Sequence, residues 1–130
     1  MSAATAASGQ HFTADLSGCA ADHPWMQSPE ALAQACLGAV QAHGLTAVGQ
    51  LFHRFTPRPG QTQSGVTGVV LLAESHLAVH TWPELGQVTL DVFVCNQSVD
   101  HSEAAHQLLQ ALVAGFEPGH ARWQGLTRGA

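Results

Sequence analysis

The chain has 130 residues, a formal net charge of -5 and only four basic residues, all arginines (Arg54, Arg58, Arg122, Arg128). That leaves no cluster of cations for nucleic-acid phosphates and no lysine to hold pyridoxal phosphate as a Schiff base. Apolar residues make up 45% and charged residues 10%, too few charges to cover a monomer of this size, which points to a buried subunit interface.

No apolar run approaches membrane-spanning length. Three cysteines, Cys19, Cys36 and Cys95, cannot all pair within one chain. No stretch at the start combines positive charge with an apolar core, so free thiols in a reducing cytoplasm are expected.

In chain order, residues 1–9 read as a disordered tail of small residues, and 10–130 as a single domain. His11 to Ser17 is strand-like, with Phe12, Ala14 and Leu16 alternating. Ser28-Pro29-Glu30 opens a helix: serine caps, proline suits the first turn and glutamate meets the dipole. Leu32, Cys36, Ala39 and Val40 form its apolar stripe, and Gly44 ends it. Leu45 to Phe55 reads as a strand. The segment from Thr56 to Gly65, rich in proline, glycine, glutamine and threonine, reads as a loop.

Val66 to Ala73 is a near-continuous apolar run and Leu77 to Trp82 a shorter one. Pro83-Glu84-Leu85-Gly86 supplies a turn, after which Val88, Leu90, Val92 and Val94 alternate. Ser98 is placed to cap a second helix, with Asp100 and Glu103 in its first turn and Leu108, Leu109, Leu112, Val113 and Phe116 on its buried face. His120 to Thr127 is too short and mixed to assign. Strand, helix, three or four strands, helix is the order of an α+β two-layer sandwich, with a mainly antiparallel sheet and helices packed on one face.

Between the two apolar runs stands Glu74-Ser75-His76, followed by His80-Thr81-Trp82-Pro83-Glu84 and later Asp91-Val92-Phe93-Val94-Cys95. With Gly65-Val66-Thr67-Gly68 before it, this arrangement resembles the prokaryotic S-adenosylmethionine decarboxylase proenzymes. That family carries a block close to G-V-S-G-V-V-V-x-x-E-S-H-x-x-I-H-T-W-P-E, then D-V-F-T-C. The resemblance extends through Phe52-His53-Arg54-Phe55 back to His11–Cys19 and covers about Gln10 to Gly115. It implies the same sandwich, paired as a homodimer of cleaved protomers.

The resemblance also implies a chemistry. Ser75 Oγ attacks the Glu74 carbonyl and the chain breaks between residues 74 and 75. The Ser75 remnant becomes a pyruvoyl cofactor, which takes the place of pyridoxal phosphate in decarboxylation. His80 corresponds to the family's processing base, a role that suits a side chain titrating near neutrality. Cys95 corresponds to the acid that protonates the substrate carbon. Thr67 stands where serine assists processing and keeps the hydroxyl on a stiffer side chain. Phe55 matches an adenine-stacking aromatic, and Glu84 a carboxylate for the ribose hydroxyls.

Each of these residues also has an ordinary reading: surface serine, packed strand histidine, buried thiol, core aromatic or turn charge. Ser75 and His80 are five apart, and in a regular strand such positions face opposite sides. A bend after the cleavage point is therefore expected.

The implied activity is decarboxylation of S-adenosylmethionine to supply the aminopropyl donor for spermidine synthesis. The alternatives are the same chemistry on ornithine or arginine, and a non-catalytic regulatory partner that has lost processing. Leu85 where an aromatic is usual, Gln87-Val88-Thr89 in place of small residues and a Thr56–Gly65 loop about six residues longer than the family pattern leave the substrate pocket open. A zinc site built from His76, His80, Cys95 and His53 has suitable ligand types but no familiar spacing, and no metal is expected.

Overall fold

The computed structural model describes residues 8–97 and 99–129. Its elements are β1 (Ser8–Ser17), α1 (Pro24–Gln27), α2 (Pro29–Ala42), β2 (Ala47–Arg54), β3 (Val66–Leu72), β4 (Ser75–Trp82), β5 (Gln87–Cys95), α3 (Ser102–Phe116) and β6 (His120–Gly129). The strands form one sheet in the order β2-β3-β4-β5-β1-β6, and every pairing is antiparallel.

Alternation places Ala14, Leu16, Val70, Leu77, Val79, Leu90 and Val92 on one face of the sheet, all buried. There they join Leu32, Cys36 and Val40 of α2 and Leu108, Leu109, Leu112 and Phe116 of α3 in a single core. This is the expected α+β two-layer sandwich. No helix among the described residues is long and apolar enough to cross a membrane.

The local signals for α2 act as read. Ser28 Oγ accepts the Ala31 N–H at 3.1 Å, Pro29 sits in the first turn, and Gly44 leaves the helix with φ 76°. The turn between β4 and β5 closes on Gly86, whose φ of 64° suits glycine. A side chain there would also press on the carbonyl oxygen of Cys19.

Three expectations need correction. The first strand starts at Ser8, so Ser8 and Gly9 are not tail: Ser8 pairs with Gly129, and Gly9 lies between Cys95 and Arg128. The rest of the expected tail, residues 1–7, lies outside the described residues. Helix α3 starts at Ser102, and the carboxylate of Asp100 accepts the Ser102 N–H at 2.9 Å. The expected cap, Ser98, lies outside the described residues. Finally, the unassigned C-terminal segment is a full edge strand, β6, paired with β1 over its whole length.

Among the described residues, nothing covers the face of the sheet away from the helices. Leu51, Leu71 and Leu126 lie exposed on it at 69%, 50% and 54%, with His11, His76, His80 and Asp91 among them.

Candidate active site

Two clefts open at opposite ends of β4, and of the residues given a catalytic, processing or binding role from the sequence all but Cys95 line one or the other. At its start, Ala73 and Glu74 form the tight connection from β3, pairing Leu72 with Ser75. Glu74 has φ 55°, a left-handed conformation that costs a residue with a Cβ on the order of 1–3 kcal/mol. Ser75 follows as the first residue of β4, and its Oγ accepts the backbone N–H of Cys95 at 3.0 Å. A cleft of about 440 Å³ lies here, lined by Glu74, Ser75, His76, Phe93, Arg128 and the glycines beside them.

Cys95 ends β5 half-buried. The other two thiols belong to the core: burial pushes Cys36 up to about 12 and Cys19 upward as well. Both are poor proton donors and poor nucleophiles near neutral pH.

The second cleft, about 550 Å³, gathers Phe55, Thr67, His80, Trp82, Glu84 and Leu85. Thr67 and His80 are cross-strand partners, with Thr67 Oγ1 3.1 Å from His80 Nδ1, so the threonine hydroxyl fixes the imidazole. Phe55 follows β2 and donates its N–H to the Gly65 carbonyl. Its ring lies edge-on to His53 at 4.8 Å, half exposed to the cleft. Thr56, Pro57, Arg58, Gln61 and Gln63 of the long loop wall the same cleft.

The expected bend between Ser75 and His80 is absent. Pairing of β4 with β3 and β5 runs without a register shift from Ser75 to Trp82. At about 3.3 Å per residue, Ser75 and His80 lie ~16 Å apart along the strand. Within one protomer, Ser75 and Cys95 are together, as are Thr67, His80, Phe55 and Glu84, but the two groups do not meet.

Cross-strand register also assembles a cluster that the sequence did not single out. Asp91 Oδ2 lies 2.9 Å from His11 Nε2 and 3.1 Å from His76 Nε2. Arg128 Nη1 donates to His11 Nδ1 at 3.2 Å. The Nε2 of His11 therefore carries the proton that Asp91 accepts. The three ligand atoms lie within 4.8 Å of one another, but a metal on Nε2 would require a proton on Nδ1, facing the arginine. The set weighed from sequence is also dispersed, since His80 turns to Thr67 at the other end of the strand. His11, His76 and Asp91 all stand in segments that mark the resemblance; their convergence needed the strand order.

Residues 10–129 match the family model described as S-adenosylmethionine decarboxylase. The chain is 38% identical over 106 residues to an S-adenosylmethionine decarboxylase proenzyme of Thermotoga maritima, covering 82% of this chain and 75% of that protein. It is 36% identical over 121 residues to one of Pelotomaculum thermopropionicum, covering 93% and 86%. Its fold is similar to the crystal structure of the adenosylmethionine decarboxylase of Aquifex aeolicus, with a TM-score of 0.80, 33% identity and coverage of 98% of this chain and 94% of that one.

Proposed function

Because the chain belongs to the S-adenosylmethionine decarboxylase family, we propose that it cuts itself between Glu74 and Ser75 and then decarboxylates S-adenosylmethionine, supplying the aminopropyl donor for spermidine synthesis. The observation that carries the reading is Ser75 itself. It follows a strained Glu74 at the mouth of a cleft, with its hydroxyl oxygen held by the Cys95 N–H.

Those residues fit a carbonyl cofactor made in place from Ser75. Ser75 Oγ attacks the Glu74 carbonyl carbon, the peptide nitrogen leaves it, and an ester replaces the amide. A base removes the Ser75 Cα proton, and the Glu74 carboxylate leaves from Cβ. Water then takes the nitrogen off as ammonia. Cleavage at this bond relieves the left-handed strain at Glu74. The pyruvoyl group so formed would supply an electrophilic carbonyl for the substrate amine and an electron sink for the pair left by departing carbon dioxide. Cys95, whose backbone N–H is bonded to Ser75 Oγ, is the residue we assign to return a proton to the substrate carbon.

The base we assign is His80, held by Thr67, and it comes from a second copy of the chain. Within one protomer His80 is ~16 Å from Ser75 on an unbent strand. The uncovered sheet face, with Leu51 and Leu71 exposed, is the surface two copies would share. In such a homodimer the Ser75 cleft of one protomer meets the His80 cleft of its partner. Phe55 and Glu84 then stack on adenine and bind the ribose hydroxyls. The proposal includes a reducing cytoplasm, in keeping with free Cys19, Cys36 and Cys95, and no role for nucleic acid.

The test is carbon dioxide release from S-adenosylmethionine, ornithine, arginine and lysine. Turnover of S-adenosylmethionine with the others silent supports the reading. Turnover of ornithine or arginine alone overturns the substrate, and a chain that stays full length and turns over none of them overturns the chemistry.

A further inference from the structure

Arg128 stands in the Ser75 cleft, on the strand that the sequence left unassigned. Its guanidinium donates to His11 Nδ1 at 3.2 Å and lies over the Phe93 ring, 5.5 Å from the centroid. Among the described residues no carboxylate lies within ion-pair distance of it. The nearby acid, Asp91, is occupied by His11 and His76, so the imidazole of His11 separates it from the arginine. The result is a charge fixed by an imidazole and an aromatic face, with donors left over, in a cleft it shares with the reacting serine.

We propose that Arg128 binds the α-carboxylate of the substrate. This inference rests on the decarboxylase reading above. The amine that meets the group made from Ser75 and the carboxylate to be lost are on one carbon. The carboxylate carbon is thus held ~2.5 Å from the amine nitrogen, and a cation in the same cleft is the natural partner for it. The contact is independent of the rest of the substrate. It accepts any α-amino acid, and discrimination is left to the distal cleft of Phe55 and Glu84. It is also a contact of the bound substrate rather than of the transition state, because the carboxylate loses its charge as carbon dioxide forms.

A second carboxylate could use the same donors: the new chain end that cleavage creates at Glu74, which lines this cleft. The experiment separates the two. Arg128→Gln and Arg128→Lys are purified, their cleavage followed on gels, and KM and kcat measured with S-adenosylmethionine. Inhibition by decarboxylated S-adenosylmethionine, which lacks only the carboxylate, is measured beside them.

The expected result is two fragments in both variants. Arg128→Gln should raise KM roughly 10- to 100-fold without lowering kcat, leave inhibition by the decarboxylated compound within about twofold of wild type, and be largely rescued in Arg128→Lys. An unchanged KM overturns the proposal. Equal weakening of substrate and decarboxylated compound overturns it too, and assigns Arg128 to the Glu74 terminus or to the wall of the cleft. Failure of both variants to cleave overturns it in favour of a role in processing or folding.

Discussion

At the residue scale, the proposed site separates side chains that the sequence could only place together. His80→Ala should stall the chain after ester formation, so hydroxylamine would cut it at residue 74 where water does not; an amide resistant to hydroxylamine would remove His80 from the role of base. The thiols divide in the same way. Cys36 is buried with its pKa pushed up to about 12, and Cys19 is also raised by burial. Since only the thiolate alkylates, iodoacetamide at pH 8 should label Cys95 and spare both. Labelling of Cys36 in folded protein would contradict the core assignment. Adenine stacking contributes about 1–3 kcal/mol, so Phe55→Ala should raise KM for S-adenosylmethionine roughly tenfold to hundredfold while self-cleavage continues; an unchanged KM would remove Phe55 from the substrate contact. The residues that sequence alone did not single out, His11, Asp91 and Arg128, share a reason. Each meets its partners only across strands far apart in the chain.

At the element scale, legibility followed burial. Strand β5 and helices α2 and α3 each bury one face, and that burial writes the alternation or the stripe from which they were read; β3 and β4 were read instead as apolar runs, although each buries alternate residues. Strand β6 is exposed almost throughout, so hydrophobicity leaves no period along it, and only its pairing with β1 makes it a strand. Helix α1 spans four residues, and the side chain of His23 caps it by accepting the Trp25 N–H. So short an element has no stripe to detect. The bend expected after Ser75 failed for a different reason: β4 is paired on both sides without a register shift, which holds it straight. Within β4, Leu77 is fully buried, and Leu77→Ala should cost about 2–5 kcal/mol in urea unfolding. A loss under ~1 kcal/mol would mean the sheet does not pack as described.

At the scale of the whole molecule, a low charge content and a sheet face left uncovered among the described residues are the two features behind the proposed second copy. A split site has a consequence that a self-contained one lacks. Co-expressed Ser75→Ala and His80→Ala chains should complement: the His80→Ala chain keeps Ser75 and would be cut with the help of His80 from its partner. No cleavage in the mixed dimer would return His80 to its own protomer. All of this depends on one event at one bond, and intact-mass measurement of the purified chain tests it most directly. The predicted spectrum shows two fragments ending and beginning at residues 74 and 75. The second should be lighter than its unmodified sequence by one ammonia, and Ser75→Ala should give a single intact mass. A wild-type chain that stays whole, or a Ser75→Ala chain cut at the same bond, would contradict the account.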